Sequence, residues 1–239
     1  MRWKAKLGVM VPTVNSTMEP ELYKMAPQNV SIHFARLAPD VDYTITLSLE
    51  RLMGYAKEAI NAAKSLSFVK PDIIAFGCTS GSLLKGMGYD KEIIEDIERI
   101  TGVRSTTTST AVIAALKEMK IKNVCVATPY PDWINEKTRQ FLEANGINVL
   151  RIKGLDNVRV ISNEVPEKAY KLAKEVNIPD ADGIFISCTA LRTVEILDVL
   201  EEEIRKPVVS SNQATLWMMM KMVGISEKVQ NFGILLRSL

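Results

Sequence analysis

Asp72-Ile-Ile-Ala-Phe-Gly-Cys-Thr-Ser-Gly-Ser82 is the stretch on which the interpretation of this chain depends. Residues 73–76 form a continuous apolar run, as in a strand of a parallel sheet that is buried on both faces. The run ends at Gly77, and Cys78 then precedes several small and hydroxyl residues at a predicted helix start. Ligands of open α/β sheets bind at this carboxyl end of the strands. The stretch therefore predicts a small site for an anion and a thiol nucleophile.

The same pattern returns at Asp182-Gly-Ile-Phe-Ile-Ser-Cys-Thr-Ala190, where an aspartate again precedes a Cys-Thr pair by six residues. Each half of the chain thus supplies one cysteine at a strand end, Cys78 and Cys188. If the halves pack face to face, the two thiols flank one small substrate. The third cysteine, Cys125, lies inside an apolar strand and is predicted to be a core residue, because cysteine is among the most buried residue types.

Strands and helices alternate along the chain, which predicts an α/β fold with parallel sheets and right-handed crossovers. A second repeated pattern supports a duplication. Residues 103–111 and 207–215 each begin with valine or proline-valine, continue through hydroxyl or amide side chains and lead into a predicted helix. Because this pattern and the Cys-Thr pattern recur in the same order, an internal repeat is plausible. Helical periodicity also predicts a helix over residues 193–205.

Composition narrows the class of protein. The chain has 239 residues, 47% of them hydrophobic and 24% charged, as in a globular protein with one large or two small domains. Its net charge of +2 favours neither nucleic acid nor a membrane surface as a partner. Because no apolar run is long enough to span a membrane and the first residues do not resemble a secretory signal, we expect a cytoplasmic protein.

The sequence carries no pattern for a metal or a nucleotide. It has a single histidine, no Cys-x-x-Cys pair and no glycine-rich nucleotide fingerprint. His33 lies in the middle of a predicted strand and is not expected to reach a cysteine, so the thiols are predicted to work without a histidine base. Since a helix start can lower the pKa of a thiol, we expect thiolate to be available near neutral pH.

These motifs resemble the aspartate/glutamate racemase superfamily. Within it, the chain is similar to the branch that holds maleate cis-trans isomerase and arylmalonate decarboxylase, through residues 11–13, 77–80, 128–130, 187–193 and 207–211. The resemblance implies two similar Rossmann-like lobes with parallel sheets, related by a pseudo-twofold axis, with the active site in the cleft between them. The expected lobes are residues 1–105 with 208–239, and residues 106–207.

By the same resemblance, Cys78 and Cys188 are the catalytic thiols. Other residues would hold a substrate carboxylate through hydroxyl and amide groups. These candidates are Pro12, Thr13, Asn15, Thr79, Ser80, Tyr130, Asn163, Thr189 and Ala190. The resemblance further implies no metal, no organic cofactor, a small carboxylate substrate, and a homodimer or larger homo-oligomer.

The reaction stays open among several alternatives. Two thiols fit a cofactor-independent isomerisation of maleate to fumarate, in which Cys78 adds to the double bond and Cys188 exchanges a proton. Amino-acid racemisation would use one thiol to remove a proton and the other to return it. Arylmalonate decarboxylase carries glycine at the position of Cys78, although Thr79-Ser80-Gly81 resembles it more than it resembles the isomerases. Decarboxylation would use Cys188 alone, and a carboxylate-binding protein without catalysis is the last alternative.

Overall fold

In the part of the chain that the structure describes, eight strands form two parallel sheets. A computed structural model of the chain describes residues 3–42, 47–156 and 160–239. The first sheet has the order β2-β1-β3-β4, and its strands are β1 (Ala5–Pro12), β2 (Val30–Leu37), β3 (Ile73–Phe76) and β4 (Ser105–Thr107). The second has the order β6-β5-β7-β8, and its strands are β5 (Asn123–Thr128), β6 (Asn148–Gly154), β7 (Gly183–Ile186) and β8 (Val208–Ser210). The shared order and parallel pairing confirm the predicted α/β fold with two similar lobes.

Helices connect the strands and cover the sheets. They are α1 (Met18–Met25), α2 (Leu49–Ser67), α3 (Thr79–Leu83), α4 (Tyr89–Thr101), α5 (Thr108–Glu118), α6 (Asp132–Ala144), α7 (Pro166–Val176), α8 (Leu197–Ile204), α9 (Ser211–Met222) and α10 (Ile234–Arg237), with a 3-10 turn at Ile161–Asn163. Among the helices of the described ranges, none is both long and apolar enough to cross a lipid bilayer.

The helix predicted over residues 193–205 begins later than expected, at Leu197. The reason is a tertiary contact that local periodicity does not contain. The backbone N–H groups of Thr193 and Val194 donate to the Glu21 carboxylate, at 2.6 Å and 3.2 Å. These residues therefore form a turn bound to helix α1 rather than the first turn of α8.

The two lobes meet through three helices. Helix α9, which follows β8, packs against α1 and α5, which follow strands of the first sheet. Trp217, Met219 and Met220 of α9 are buried in a core cluster that includes strand residues of both sheets. Hydrogen bonding assigns β4 to the first sheet and β8 to the second. The lobe limits at residues 105 and 208 stay a prediction.

Gly154, at the end of β6, lies so close to the Tyr130 backbone that only a residue without a side chain fits there. A Cβ atom there would overlap the carbonyl oxygen of Tyr130 and approach Asn135 Nδ2 to 3.0 Å. We expect Gly154→Ala to reduce the free energy of unfolding by about 1–3 kcal/mol, because the obstacle is backbone. Gly8→Ala is the matched strand control, since its nearest obstacle is a movable side-chain carbon of Ile74 at 3.3 Å. Urea unfolding of both variants measures the difference, and equal stability would contradict the packing described.

Candidate active site

A cavity of about 410 Å³ lies where the carboxyl ends of the strands in both sheets come together. Its wall includes the residues that end or follow β1, β3, β5 and β7. The described wall residues are Pro12, Val14, Asn15, Leu47, Arg51, Leu52, Tyr55, Cys78, Thr79, Ser80, Tyr130, Val160, Ile161, Ser162, Cys188, Thr189 and Ala190. The fold therefore brings both predicted thiols, one from each lobe, to a single cavity.

Two of the predicted site residues do not line this cavity. Thr13 is exposed, and its neighbours Pro12 and Val14 form the wall instead. Asn163 is also exposed, at the end of the 3-10 turn, and Ser162 lies in the wall beside it. A substrate-binding role for these two residues stays a prediction, whereas the other predicted residues all line the cavity.

Cys78 lies between β3 and α3, in extended backbone conformation, and its residue is only 4% exposed. Burial raises the pKa of its thiol to about 12, and hydrogen bonds from Gly81 and Ser80 offset only part of this effect. The expectation of a lowered pKa is therefore wrong for Cys78. Loss of hydration disfavours the thiolate more than the start of a five-residue helix favours it.

Cys188 differs from Cys78 in its backbone. Its φ angle of 99° lies in the left-handed region, which residues with a β-carbon rarely occupy. Burial raises the pKa of its thiol, while hydrogen bonds from the Ala190 amide and the Tyr130 side chain act in the opposite direction. The Ala190 amide nitrogen lies 3.4 Å from Cys188 Sγ. The second thiol thus has hydrogen-bond donors directed at its sulfur.

Ser211, the first residue of α9, connects the two cysteine turns. Its Oγ accepts hydrogen bonds from the Cys188 backbone N–H and from Thr79 Oγ1, both at 3.0 Å. A further link runs from Thr189 Oγ1 to the Gly77 carbonyl oxygen at 3.1 Å. All of these groups are buried, so the bonds hold the two strand ends in one relative position.

Asn15 links the loop after β1 to the Cys188 turn. Its Oδ1 accepts from the backbone N–H groups of Thr17 and Met18, at 2.9 Å and 3.0 Å, and so supports the start of α1. Its Nδ2 donates to Thr189 Oγ1 at 3.1 Å. One Nδ2 hydrogen is used in this bond, and the amide carries a second that can face a ligand.

Tyr130 supplies a buried hydroxyl to the cavity. Its backbone N–H donates to Thr128 Oγ1 at 3.0 Å, and its carbonyl accepts from Asn135 Nδ2 at 3.1 Å. Burial raises the pKa of the phenol well above its ordinary value, and the nearby thiols add to the effect. Tyr130 is therefore a neutral hydrogen-bond donor at any physiological pH.

Helix α2 supplies wall residues that sequence analysis missed. Arg51, Leu52 and Tyr55 lie on its buried face, and Arg51 is only 3% exposed. The Arg51 guanidinium contacts the Asp42 carbonyl oxygen at 3.4 Å. Of the described wall residues, Arg51 alone carries a formal charge. The sequence signal that could have identified Arg51 is an arginine on the apolar face of an amphipathic helix. Burying a guanidinium there costs free energy unless it is paired, so the position indicates a partner or a ligand.

The predictions for Cys125 and His33 agree with the structure. Cys125 is fully buried within β5, as expected for a core residue. His33 lies in β2, contacts Ser31 Oγ at 3.2 Å and does not line the cavity. Neither cysteine of the cavity wall therefore has a histidine base beside it.

Comparison with known proteins agrees with this geometry. The maleate isomerase of Alcaligenes faecalis is 26% identical over 249 residues, covering 97% of this chain and 96% of that protein. The arylmalonate decarboxylase of Bordetella bronchiseptica is 26% identical over 211 residues, covering 82% and 86%. A structure of Nocardia farcinica maleate cis-trans isomerase, a cysteine-to-serine variant with a covalently bound succinylcysteine intermediate, matches with a TM-score of 0.88 at 19% identity, covering 98% of each chain.

The resemblance inferred from the cysteine motifs is thereby confirmed. The sequence profile of the arylmalonate decarboxylase family matches residues 7–236, nearly the whole chain. The chain belongs to the arylmalonate decarboxylase family, in the branch of the aspartate/glutamate racemase superfamily that also holds the maleate isomerases.

Proposed function

We propose that this protein is a cofactor-independent isomerase of a small unsaturated dicarboxylate, and that it converts maleate to fumarate. The observation that carries the proposal is the presence of two thiols, Cys78 and Cys188, from opposite lobes in the wall of one cavity. Similarity to maleate isomerases over nearly the full length supports it. A single thiol would be enough for decarboxylation.

The reaction begins at Cys78. Its Sγ, after losing the proton to solvent, adds to one alkene carbon, and the electron pair of the double bond moves to the adjacent carbon and its carboxylate. Rotation about the new single bond follows. Expulsion of the Cys78 thiolate then re-forms the double bond in the trans geometry. The succinylcysteine in the Nocardia farcinica structure is the kind of adduct that this addition produces.

Cys188 acts as the proton donor and acceptor in this scheme. It donates a proton to the carbanion and takes it back before the Cys78 thiolate leaves. Cys78 then regains from solvent the proton that it lost at the start, so that both residues return to their starting state. The second Nδ2 hydrogen of Asn15 donates to the charge that develops on the carboxylate. The Tyr130 and Ser80 hydroxyls, which can rotate away from the sulfurs, donate to it as well. Arg51 adds the positive charge that a doubly charged substrate requires within an otherwise uncharged described wall.

A second candidate, decarboxylation of a disubstituted malonate, is favoured by the apolar part of the wall. Val14, Leu47, Leu52, Val160 and Ile161 form this part, and such a surface suits an apolar substituent that maleate lacks. In that reaction Cys188 would protonate the enediolate and Cys78 would be a bystander. Amino-acid racemisation by the two thiols remains the third alternative.

Conversion of maleate is the direct test. Proton NMR of the protein with maleate in heavy water should show the fumarate signal, and deuterium in the product would report reversible protonation of the carbanion. Unchanged maleate would contradict the proposed substrate. Parallel samples with a phenyl-substituted malonate and with aspartate or glutamate then test the decarboxylase and racemase alternatives.

Single cysteine variants separate the mechanisms. Cys78→Ala and Cys188→Ala should each lower kcat for isomerisation by about 10³-fold or more, because each thiol performs a step that the other cannot. Cys125→Ala, in the core, is the control and should retain turnover. For a decarboxylase, Cys78→Gly would retain activity while Cys188→Ala would lose it. Full isomerase activity in Cys188→Ala contradicts the two-thiol mechanism.

The raised thiol pKa predicts how the alkylation rate of Cys78 depends on pH. In the Cys188→Ala variant, alkylation of Cys78 by iodoacetamide should accelerate about tenfold per pH unit from about pH 7 to pH 10, because only the thiolate reacts. The sign follows from burial, which keeps the thiol protonated until pH approaches about 12. The variant lacking both cavity cysteines gives the background rate. A rate that levels off at about pH 9 or below would show instead a thiol with an ordinary or lowered pKa.

A further inference from the structure

Glu21 of helix α1 is a buried carboxylate outside the cavity wall, only 4% exposed. Its partners are neutral donors: the backbone N–H groups of Thr193 and Val194, and Asn212 Nδ2 at 2.6 Å. The nearby cations, Lys24 and Arg192, form ion pairs with Glu195 instead. A buried carboxylate satisfied by neutral donors is costly to maintain, so its position calls for a specific role.

Asn212, in the first turn of α9, carries the effect of Glu21 toward the cavity. Its Nδ2 has two hydrogens. One is donated to Glu21 Oε2, and the other to the Thr189 carbonyl oxygen at 3.0 Å. Because an ionised carboxylate can only accept hydrogen bonds, Glu21 fixes which end of the Asn212 amide faces Thr189. With the amide reversed, two oxygens would face each other.

The Thr189 carbonyl and the Ala190 N–H belong to one planar peptide group, so they point in opposite directions. Asn212 holds the carbonyl side of this peptide, and the N–H side contacts Cys188 Sγ at 3.4 Å. A rotation of the peptide would remove the donor from the sulfur. The orientation of the donor at Cys188 therefore depends on Glu21, although Glu21 is not itself in the cavity wall.

We propose that Glu21 and Asn212 are positioning residues for Cys188: together they orient the Thr189–Ala190 peptide so that its amide stabilises the Cys188 thiolate. This inference deepens the proposed function and rests on it for the role of Cys188 in proton exchange. Its effect on the reactivity of the thiol is independent of the substrate.

The pKa of Glu21 agrees with such a role. Burial raises it to about 7, and hydrogen bonds from Asn212 and the Thr193 and Val194 amides offset part of the rise. The charge on Glu195, in the neighbouring turn, raises it further. Acidification through about pH 7 therefore protonates Glu21 and weakens its hold on Asn212, so the alkylation rate of Cys188 should fall there more steeply than the roughly tenfold per pH unit that protonation of the thiol alone produces.

The test measures each cavity thiol separately, in a variant that lacks the other. With Cys78→Ala as the background, adding Glu21→Gln places an amide group beside Asn212 Nδ2, donor against donor. Alkylation of Cys188 by iodoacetamide should slow by about 10-fold, the loss expected for one hydrogen bond to a charged sulfur. Asn212→Ala should have the same effect. In the Cys188→Ala background, neither change should alter alkylation of Cys78.

Two further variants separate positioning from general loosening. In Glu21→Gln with Asn212→Asp, the bond between residues 21 and 212 is restored in the reverse sense, but the aspartate has no hydrogen to donate to Thr189. This pair should recover only part of the thermal stability lost in Glu21→Gln, because an oxygen of the introduced aspartate then faces the Thr189 carbonyl oxygen, and it should still show slow Cys188 alkylation. Glu201→Gln is the matched control: Glu201 is another buried carboxylate that accepts backbone N–H groups, those of Val208 and Ile234, and it should lower stability without slowing Cys188.

Unchanged Cys188 alkylation in both Glu21→Gln and Asn212→Ala overturns the inference, and so does equal slowing of Cys78 and Cys188. If Glu21→Gln does not fold, Asn212→Ala decides the question by itself. A protein that leaves maleate unchanged yet shows selective slowing of Cys188 would refute the proposed substrate and retain the positioning role.

Discussion

The left-handed backbone of Cys188 is the constraint on which the site depends. A residue with a β-carbon at a φ angle of 99° is strained, at a cost of about 1–3 kcal/mol, and persists only where its surroundings determine it. Here the surroundings come from both lobes. Ser211 accepts the Cys188 N–H, and the Thr189 hydroxyl donates to the carbonyl of Gly77 in the opposite lobe. The position of the Cys188 thiol therefore depends on how the two lobes pack against each other.

Burial governs the chemistry of both thiols. A pKa of about 12 for Cys78 means that its thiolate costs about 4 kcal/mol more to form than that of an exposed thiol with a pKa of 9.0. Preformed donors at each sulfur recover part of this cost: Gly81 and Ser80 at Cys78, and Ala190 and Tyr130 at Cys188. A resting site with neutral thiols also protects them from oxidation, since the thiolate is the reactive form.

The buried polar groups at the lobe interface serve a different purpose from the core around them. Apolar residues of α1, α5 and α9 form the core at this interface, but apolar contacts do not fix the orientation of the groups they bury. Hydrogen bonds fix that orientation, because their strength depends on the direction of the donor and the acceptor. The chain from Glu21 through Asn212 to Thr189 runs from helix α1 to the cavity through donors and acceptors with defined geometry. This chain of hydrogen bonds orients one peptide group in a way that packing alone cannot achieve.

The local sequence was enough to determine the two parallel sheets, the paired strand ends and the identity of both cavity cysteines. Each is encoded in a short segment: an apolar run, a break, and a Cys-Thr pair. A repeated segment also predicts a repeated structure. The resemblance to the family predicted that Asn15, Ser80 and Tyr130 lie at the site, and the structure places all three in the cavity wall.

Only the tertiary structure decided the rest. The roles of Glu21, Ser211 and Asn212 depend on contacts between residues that are far apart in the chain, and no local pattern records such contacts. Arg51 lies in the cavity wall because the apolar side of α2 faces the cleft, and the direction in which a helix faces is set by tertiary packing. The direction of the Cys78 pKa shift was mispredicted for the same reason: a helix start is visible in sequence, whereas the loss of water around a thiol is a property of the folded chain.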